Sequence, residues 1–347
     1  MPSGERVVEG RALIGEMLEE REVAIVVRGG RIHRIEDRAP RPGAPWICPA
    51  LFNAHTHLGD SVAMDLRAEG SLESLVTPPY GLKHQILEKT PPGELIRAMR
   101  ATLEFMQEAG TAGCADFREG GPAGVQALRS AAEGISCVPV IFGREGGEAY
   151  ADGLGISSAR DIHGLEQIVR RSREMKRLIA FHAGERDRFD IDSALDYAPD
   201  LIVHCTHATS RQLRRCAEEE IPIAVCARSN WTLGVTDSPG KPPLKKMIEA
   251  GCRIVLGTDN CMFVQPDLWR EMSFIATVYQ IPPALIFRAA VEGSCLTKTP
   301  PFITEGCPAR FLVIHPGDSN LWLSHDMVTT LVKRAGRKNI VTKVFNC

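Results

Sequence analysis

Residues 47–57 read Ile-Cys-Pro-Ala-Leu-Phe-Asn-Ala-His-Thr-His, and this stretch decides how the rest of the chain is interpreted. The run is mainly apolar and ends in two histidines one residue apart, a pattern typical of a buried strand with polar residues at its end. Alternate side chains of a strand point to the same face, so we expect the imidazoles of His55 and His57 to converge. The pattern predicts a strand that brings two possible metal ligands to one edge of a sheet.

The middle of the chain repeats this strand signal, with helical patterns between most of the repeats. In the stretch Glu94–Glu108, apolar residues recur at spacings of four, four and three, as in an amphipathic helix. Eight such units in about 250 residues predict an α/β fold, a (β/α)8 TIM barrel, with a doubly wound open sheet as the alternative. The predicted strands are Ile47–His57, Ala112–Arg118, Cys137–Arg144, Leu154–Ser157, Leu178–Glu185, Leu201–His207, Pro222–Asn230 and Arg253–Asn260, and the other predicted helices are 121–133, 159–175, 209–219 and 241–250.

Both ends of the chain differ from this middle because they contain short β-like runs without the helical intervals. Prolines at 40, 42 and 45 and the pair Pro300-Pro301 separate the ends from the middle. We therefore predict a small composite β-sandwich from residues 1–47 and 300–347, attached to a catalytic barrel at 48–299. The β-like runs are Glu22–Val27, Arg31–Glu36, Arg310–His315, Met327–Lys333 and Ile340–Phe345.

Composition excludes several classes of protein. The 347 residues are 44% apolar and 24% charged, which is typical of a globular chain. With 41 basic and 43 acidic residues, the net charge of −2 offers no electrostatic surface for nucleic acid or an anionic membrane. No apolar stretch approaches the ~20 residues of a membrane span, and residues 1–6 lack a signal-peptide pattern. The 11 cysteines include no Cys-x-x-Cys pair, so we predict a cytoplasmic protein with free thiols. We also predict a small-molecule partner, and we leave association into a homo-oligomer open.

Residues able to bind a metal recur at the ends of the predicted strands. His182 and Glu185 end the fifth strand, His204 lies near the end of the sixth, and Asp259 near the end of the eighth. Taken singly, each has an ordinary structural explanation, such as a hydrogen-bonded core histidine or an aspartate that caps a turn. Those explanations do not account for one shared location at the carboxyl ends of barrel strands, where active sites form. Imidazoles with a carboxylate suit Zn²⁺, and also Fe²⁺ or Mn²⁺.

These motifs resemble the metal-dependent amidohydrolase superfamily, and within it the deaminase and chlorohydrolase branch. The resemblance spans 48–299, and the barrels of that branch carry a small β-sandwich built from both chain ends. It implies that this chain holds one divalent ion, expected to be Zn²⁺, through His55, His57, His182 and Asp259. Relatives with two ions bridge them through a modified lysine of the fourth strand, and the run 153–158 contains no lysine, which favours one ion. The motifs are Phe52-Asn53-Ala54-His55-Thr56-His57, His182-Ala183-Gly184-Glu185, His204 and Thr258-Asp259.

The resemblance also implies a reaction, the hydrolytic deamination of an aminated nitrogen heterocycle of purine, pyrimidine or pterin type. A bound zinc ion lowers the pKa of its water from ~15.7 to about 7 and so supplies hydroxide. Asp259 would take the water proton, His204 would orient the hydroxide or polarise the attacked atom, and Glu185 would protonate a ring nitrogen. The alternatives are hydrolysis of a cyclic amide or of a chloro-substituted ring. A catalytically silent scaffold is a further alternative, disfavoured by the complete set of ligands.

Candidate substrate contacts come from three other strand ends. Ser229 and Asn230 end the predicted seventh strand and Trp231 follows it, and related deaminases have a similar Arg-Ser-Asn run near their substrate loops. Trp231 either stacks on a heterocycle or packs under its loop. Arg118 and Arg144 end the second and third strands, where they either face the pocket or pair with the neighbouring glutamates as rim salt bridges. Residues 58–90 are predicted to form a long segment covering the site.

Overall fold

The computed structural model describes residues 5–160 and 162–345. In chain order its strands are β1 (Arg6–Ile14), β2 (Glu19–Arg28), β3 (Arg31–Asp37), β4 (Trp46–Pro49), β5 (Leu51–His57), β6 (Thr111–Arg118), β7 (Val138–Gly143), β8 (Gly153–Ile156), β9 (Leu178–Ala183), β10 (Leu201–His204), β11 (Ile223–Val225), β12 (Ile254–Leu256), β13 (Asp259–Asn260), β14 (Arg310–Ile314) and β15 (Ile340–Phe345). Its α-helices are α1 (Leu72–Val76), α2 (Leu82–Lys89), α3 (Pro92–Glu108), α4 (Gly121–Ala132), α5 (Leu165–Glu174), α6 (Ile191–Leu195), α7 (Ser210–Glu218), α8 (Ala227–Thr232), α9 (Leu244–Glu249), α10 (Leu268–Val278), α11 (Pro283–Glu292) and α12 (Met327–Arg334).

The central sheet is a closed barrel of parallel strands. Its nine strands follow the order β12-β11-β10-β9-β8-β7-β6-β5-β13. Because β12 and β13 are successive parts of the segment 254–260, pairing with β11 and with β5 respectively, the nine strands fill eight positions of a ring. The predicted (β/α)8 barrel is therefore confirmed, and the open doubly wound sheet is not formed.

The closure of the barrel depends on a close approach between its first and last strands. A Cβ atom at Gly257 would lie 2.7 Å from Cβ of His55, so only glycine fits there. The Asn53 side chain then locks the two strands together: its Nδ2 donates to Thr258 Oγ1 at 2.7 Å, and its Oδ1 accepts from Thr258 N at 3.1 Å. The motif that precedes the two histidines thus fixes where the eighth strand ends.

A second sheet is built from both ends of the chain, as predicted. Its six strands run in the order β15-β14-β4-β1-β2-β3, and both halves contribute to one apolar core, for example through Ile25 and Phe311. An isolated bridge between Arg31 and Pro308 brings the hairpin of β2 and β3 next to the start of β14. The composite β-sandwich is therefore present. The exact domain boundaries stay a prediction, and the predicted strand 47–57 is divided, since β4 belongs to this sheet and β5 to the barrel.

One predicted strand is wrong throughout, and the predicted strand Pro222–Asn230 is wrong beyond Val225, because helix α8 begins at Ala227. Residues 327–333 form helix α12, whose start is capped by Asp326, with its side chain accepting from Thr329 N at 2.6 Å. The β-branched residues at 328–330 suggested a strand, but Met327 and Leu331, four residues apart, are buried together on one face. The cap and this spacing outweigh the local β propensity.

Two further features bear on the predictions from composition. Residues 58–90, predicted as a covering segment, contain a 3₁₀ turn at Leu58–Ala63 and the helices α1 and α2. The cysteines of the described residues are free thiols. Among the described helices, none combines the length and the apolar content that crossing a bilayer requires.

Candidate metal centre and active site

Three histidine side chains meet at the carboxyl ends of the barrel strands. The ring centroids of His55 and His57 are 5.0 Å apart, and those of His55 and His182 are 4.8 Å apart. One nitrogen of each ring lies within 4.8 Å of the others. The alternation of side chains along β5 places both of its imidazoles on the inner face, as the His-x-His spacing predicts.

Asp259 completes this cluster from the last strand. Its Oδ1 lies 3.2 Å from Nε2 of His55 and 3.5 Å from Nε2 of His57. Two ligands bound at about 2.1 Å to a tetrahedral zinc ion are about 3.4 Å apart, so these separations fit donors that share one ion. A second compatible group, formed by His55, His204 and Asp259, overlaps the first.

The outer nitrogens of two rings are held so that the inner nitrogens face the cluster. Nδ1 of His57 lies 2.9 Å from Oε1 of Glu119, and Nδ1 of His182 lies 3.1 Å from the carbonyl oxygen of Ile156. When Nδ1 donates its proton to such an oxygen, the lone pair of Nε2 is left for a metal. Nδ1 of His55 and of His204 is buried and has no hydrogen-bond partner among the described residues.

The protonation states favour a cation. Burial lowers the pKa of His57 to about 3, and burial together with the neighbouring histidines lowers the pKa of His182 well below its usual value. Burial opposes ionisation of Asp259, but its hydrogen bond with His55 and the nearby imidazoles hold its pKa well below the usual range. The cluster therefore combines neutral nitrogen donors with one carboxylate, which is the ligand chemistry of zinc.

Two residues of the cluster have strained backbones. His204 has a φ of 78° and Asp259 a φ of 64°, in the left-handed region that residues other than glycine seldom occupy. Such conformations cost of order 1–3 kcal/mol each and concentrate at functional sites. The strain is located where the sixth and eighth strands end and their side chains turn toward the cluster.

Glu185 stands at the rim of the cluster. Its Oε2 lies 3.6 Å from Nε2 of His204, and burial raises its pKa. Together with His57, His182 and Asp259 it lines a cavity of about 70 Å³. The site thus presents a carboxyl group, with its pKa raised by burial, beside residues suited to hold a metal.

The family assignment follows from a comparison along most of the barrel. The model of the amidohydrolase family matches residues 46–294. The chain belongs to the amidohydrolase family. A protein of Methanothermobacter thermautotrophicus, provisionally named an aminohydrolase, is 32% identical over 96% of either chain. The resemblance inferred from the strand-end motifs is confirmed, and this amidohydrolase is a hydrolytic enzyme.

Solved structures show the same fold. An adenosine deaminase of Xanthomonas campestris with bound zinc aligns with a TM-score of 0.75 and 14% identity, over 97% of this amidohydrolase and 90% of that chain. An atrazine chlorohydrolase of Arthrobacter aurescens, also with zinc, aligns with a TM-score of 0.78 and 15% identity, over 96% and 94%. At this identity the likeness concerns the fold, and it confirms the barrel with its appended sheet.

The predicted substrate contacts of this amidohydrolase lie in different places. Arg144 lines the cavity. Ser229 is fully buried and donates to Asp259 Oδ2 at 2.7 Å, while Asn230, also fully buried, donates to Thr206 Oγ1 at 2.8 Å. Trp231 donates through Nε1 to Tyr279 Oη at 2.8 Å, so it packs under its loop. Arg118 does not line the cavity: its Nη2 lies 2.7 Å from Oε2 of the neighbouring Glu119, and this pair is buried in the interior and not exposed at the rim.

Sequence reasoning missed a buried ion network behind His57. Lys83, on helix α2, is 2% exposed, and its Nζ lies 2.9 Å from Oε1 of Glu119 and 3.2 Å from Oδ2 of Asp60. Lysine is seldom fully buried unless it is paired. Neither Lys83 nor Asp60 belongs to a motif, so only the three-dimensional structure connects the covering segment with a predicted metal ligand.

Proposed function

We propose that this amidohydrolase is a mononuclear metal-dependent aminohydrolase that deaminates a nitrogen heterocycle. The observation that carries the proposal is the position of Glu185, whose Oε2 lies 3.6 Å from Nε2 of His204 at the mouth of the histidine–aspartate cluster. An acid at the rim of a metal site suits a reaction in which a ring nitrogen must gain a proton as the neighbouring carbon is attacked.

The residues that would hold the ion are His55, His57, His182 and Asp259. A divalent ion bound there supplies a water molecule that ionises near neutral pH. The Asp259 carboxylate accepts the proton of the attacking water, and the hydrogen bond from Ser229 to Oδ2 leaves Oδ1 facing the imidazoles. His204, with its ring 5.5 Å from that of His182, is placed to orient the attacking oxygen.

Glu185 transfers the protons in the remaining steps. Burial raises its pKa, which favours the protonated carboxyl group needed to donate to a ring nitrogen. The attacking oxygen forms a bond with the ring carbon, and that carbon then releases its amino group. The ionised Glu185 takes the proton of the added hydroxyl group and passes it to the departing nitrogen, so that a ring carbonyl and ammonia form. The water proton held by Asp259 then restores the protonated Glu185.

The relatives support this reaction class without naming the substrate. The Methanothermobacter protein is provisionally named an aminohydrolase, and a relative in Halobacterium salinarum, 23% identical over 94% of this chain, is named a 5-methylthioadenosine/S-adenosylhomocysteine deaminase. The adenosine deaminase that shares the fold contains zinc. We therefore propose Zn²⁺ as the ion of this enzyme.

The test combines metal removal with a variant of the acid. Chelator-treated protein should lose ammonia release from a panel of adenine nucleosides, guanine, cytosine and pterins, and added Zn²⁺ should restore it. Glu185→Gln should retain zinc, measured by metal analysis, and lose turnover by about 10²–10⁴-fold. The control is Glu249→Gln, because Glu249 is exposed on α9, does not line the cavity and should leave both quantities unchanged.

Two outcomes would count against the proposal. Full turnover without metal would exclude a role for the ion, and full turnover of Glu185→Gln would remove this residue from proton transfer. Release of chloride from a chloro-substituted ring, with no ammonia from any amine, would favour the chlorohydrolase alternative.

A further inference from the structure

The guanidinium of Arg144 is a buried charge that the proposed reaction leaves unused. Arg144 is 9% exposed and lines the catalytic cavity. Its Nε and Nη2 atoms are buried and donate no hydrogen bond to any described residue. Buried polar groups are nearly always hydrogen-bonded, so such a group inside an enzyme cavity indicates a missing partner.

Two carboxylates near Arg144, those of Glu119 and Glu145, are already engaged, whereas Oε2 of Glu148 in the wall of the second cavity is buried without a hydrogen-bond partner among the described residues. Nη2 lies 3.7 Å from Oε1 of Glu119, beyond hydrogen-bond range. That oxygen is 2.9 Å from both Lys83 Nζ and His57 Nδ1. Glu145, the next residue in the chain, accepts from Gly120 N at 3.3 Å. None of the described residues accepts a hydrogen bond from Nε or Nη2 of Arg144, which leaves this acceptor to water or a ligand.

Arg144 also stands between two cavities. The catalytic cavity, of about 70 Å³, is smaller than the ~300–1,000 Å³ of typical ligand sites. A second cavity of about 340 Å³, walled by apolar side chains such as Leu154 and Ile156, shares Pro78, Arg144 and Ser157 with the first. A substrate larger than a bare ring would extend past Arg144 into this second space.

We propose that the substrate carries an oxyanion, a carboxylate or a phosphate, which Arg144 binds at the boundary between the cavities. This inference rests on the proposed function, because it concerns the substrate of the same site. The fork of N–H donors in arginine matches two adjacent oxygens. Glu145 and Glu148 line the second cavity, so the negative group is placed at Arg144 and not deeper inside.

Binding to a variant without turnover tests the proposal. Zinc-loaded Glu185→Gln is titrated calorimetrically with two matched pairs, pterin against pterin-6-carboxylate and adenosine against adenosine 5′-monophosphate. In at least one pair the charged member should bind about tenfold tighter or more, as expected for a charge-assisted bidentate contact. The pair that responds distinguishes carboxylate from phosphate.

The second variant assigns that preference to Arg144. In Glu185→Gln/Arg144→Gln with equal zinc content, the charged and neutral members should bind equally well, which excludes direct attraction of the anion by zinc. Equal binding of both members in the single variant, including no binding of either, overturns the proposal, as does a preference that survives Arg144→Gln. Ammonia release plays no part in these readouts, so the proposal fails or stands separately from the deaminase assignment.

A stability measurement separates recognition from a structural role. Arg144→Met should leave the melting temperature of the ligand-free protein unchanged or raise it, because it removes a buried charge that has one long ion pair, 3.7 Å from Glu119, and no hydrogen bond from Nε or Nη2 to a described residue. The matched control, Arg118→Met, should lower it clearly, since Arg118 is 1% exposed and lies 2.7 Å from Glu119. A loss in Arg144→Met as large as that in Arg118→Met would identify a structural residue and refute the proposal.

Discussion

Oε1 of Glu119 lies 2.9 Å from Nδ1 of His57, so a buried carboxylate holds the outer face of a candidate metal ligand. The same oxygen lies 2.9 Å from Nζ of Lys83. Burial opposes ionisation of Glu119, but Lys83, His57 and Arg118 hold its pKa well below the usual range. The covering segment 58–90 is thereby joined to the metal centre through one ionised side chain.

Glu119→Gln should weaken zinc binding. Carboxylates that hydrogen-bond the outer nitrogen of a ligating histidine fix its ring and tautomer, and their loss typically costs about 10–100-fold in metal affinity. Competition with a chromogenic chelator measures the dissociation constant directly. Circular dichroism is recorded in parallel, so that a variant that fails to fold is recognised.

The control for this prediction is Glu145→Gln. Glu145 is an exposed glutamate that makes no contact with a candidate metal ligand. The zinc affinity of the Glu145→Gln variant should therefore match that of the unmodified protein. A folded Glu119→Gln with unchanged zinc affinity would show that Glu119 does not position His57.

Lys83→Met should destabilise the protein. Asp60 and Glu119 would keep their buried carboxylates and lose a shared cation, and breaking a buried pair in this way costs about 3–5 kcal/mol. Urea unfolding measures the free energy. Lys89→Met, an exposed site at the end of the same helix, is the matched control and should change stability by less than about 0.5 kcal/mol. A loss no larger than in this control would mean that the Lys83 pairs contribute nothing.

The barrel and the histidine cluster could be predicted because their signals are local. The spacing of His55 and His57 shows which residues share a face, and the carboxyl ends of parallel strands always meet at one edge. His182 and Asp259 could be placed at the same edge because each follows an apolar run, and the family resemblance implied that both are ligands. The structure brings these four side chains together as the strand ends require.

The network behind the cluster could not be predicted, because its contacts join distant parts of the chain. Lys83 lies on a short helix within a segment that has no periodic pattern, and nothing local links it to Glu119. Arg118 and Arg144 look alike in sequence, each followed by a glutamate. In the structure Arg118 pairs with Glu119 at 2.7 Å in the interior, whereas Arg144 lines the cavity, lies 3.7 Å from Glu119 and makes no hydrogen bond through Nε or Nη2 to a described residue. Only the tertiary packing makes the surroundings of these two arginines different.

In the metal-free protein, His57 should contribute a loss of stability as the pH falls below about 6.5, while Asp60, whose pKa burial raises to about 7, contributes in the opposite direction. Burial holds the pKa of His57 near 3 in the folded state, against about 6.5 for an unfolded histidine. Between these values the unfolded state binds a proton that folded His57 does not, so the free energy of unfolding falls by about 1.4 kcal/mol per pH unit for this residue. Carboxylates with lowered pKa values, such as that of Asp259, add to this only near pH 4 and below.

Urea unfolding of metal-free protein from pH 7.5 to 5 measures this dependence. His57→Asn removes the titrating ring. In this variant the slope of the unfolding free energy against pH should therefore be smaller by the contribution of one proton, about 1.4 kcal/mol per pH unit. Equal slopes in the two proteins would mean that His57 becomes protonated in the folded state. His33→Asn, an exposed histidine on β3, is the control and should leave the slope unchanged.

Ser229→Ala should lower turnover without weakening substrate binding. Its hydroxyl donates to Asp259 Oδ2 at 2.7 Å, and a hydrogen bond to a charged group contributes about 1.5–3 kcal/mol, equivalent to about 10–100-fold in rate if it is needed to orient the carboxylate. Because Ser229 is fully buried and does not line the cavity, kcat should fall while KM stays constant. Ser172→Ala, at an equally buried serine on α5, is the control and should alter neither. A rise in KM alone would instead make Ser229 the substrate contact that its place at the end of the predicted seventh strand suggested.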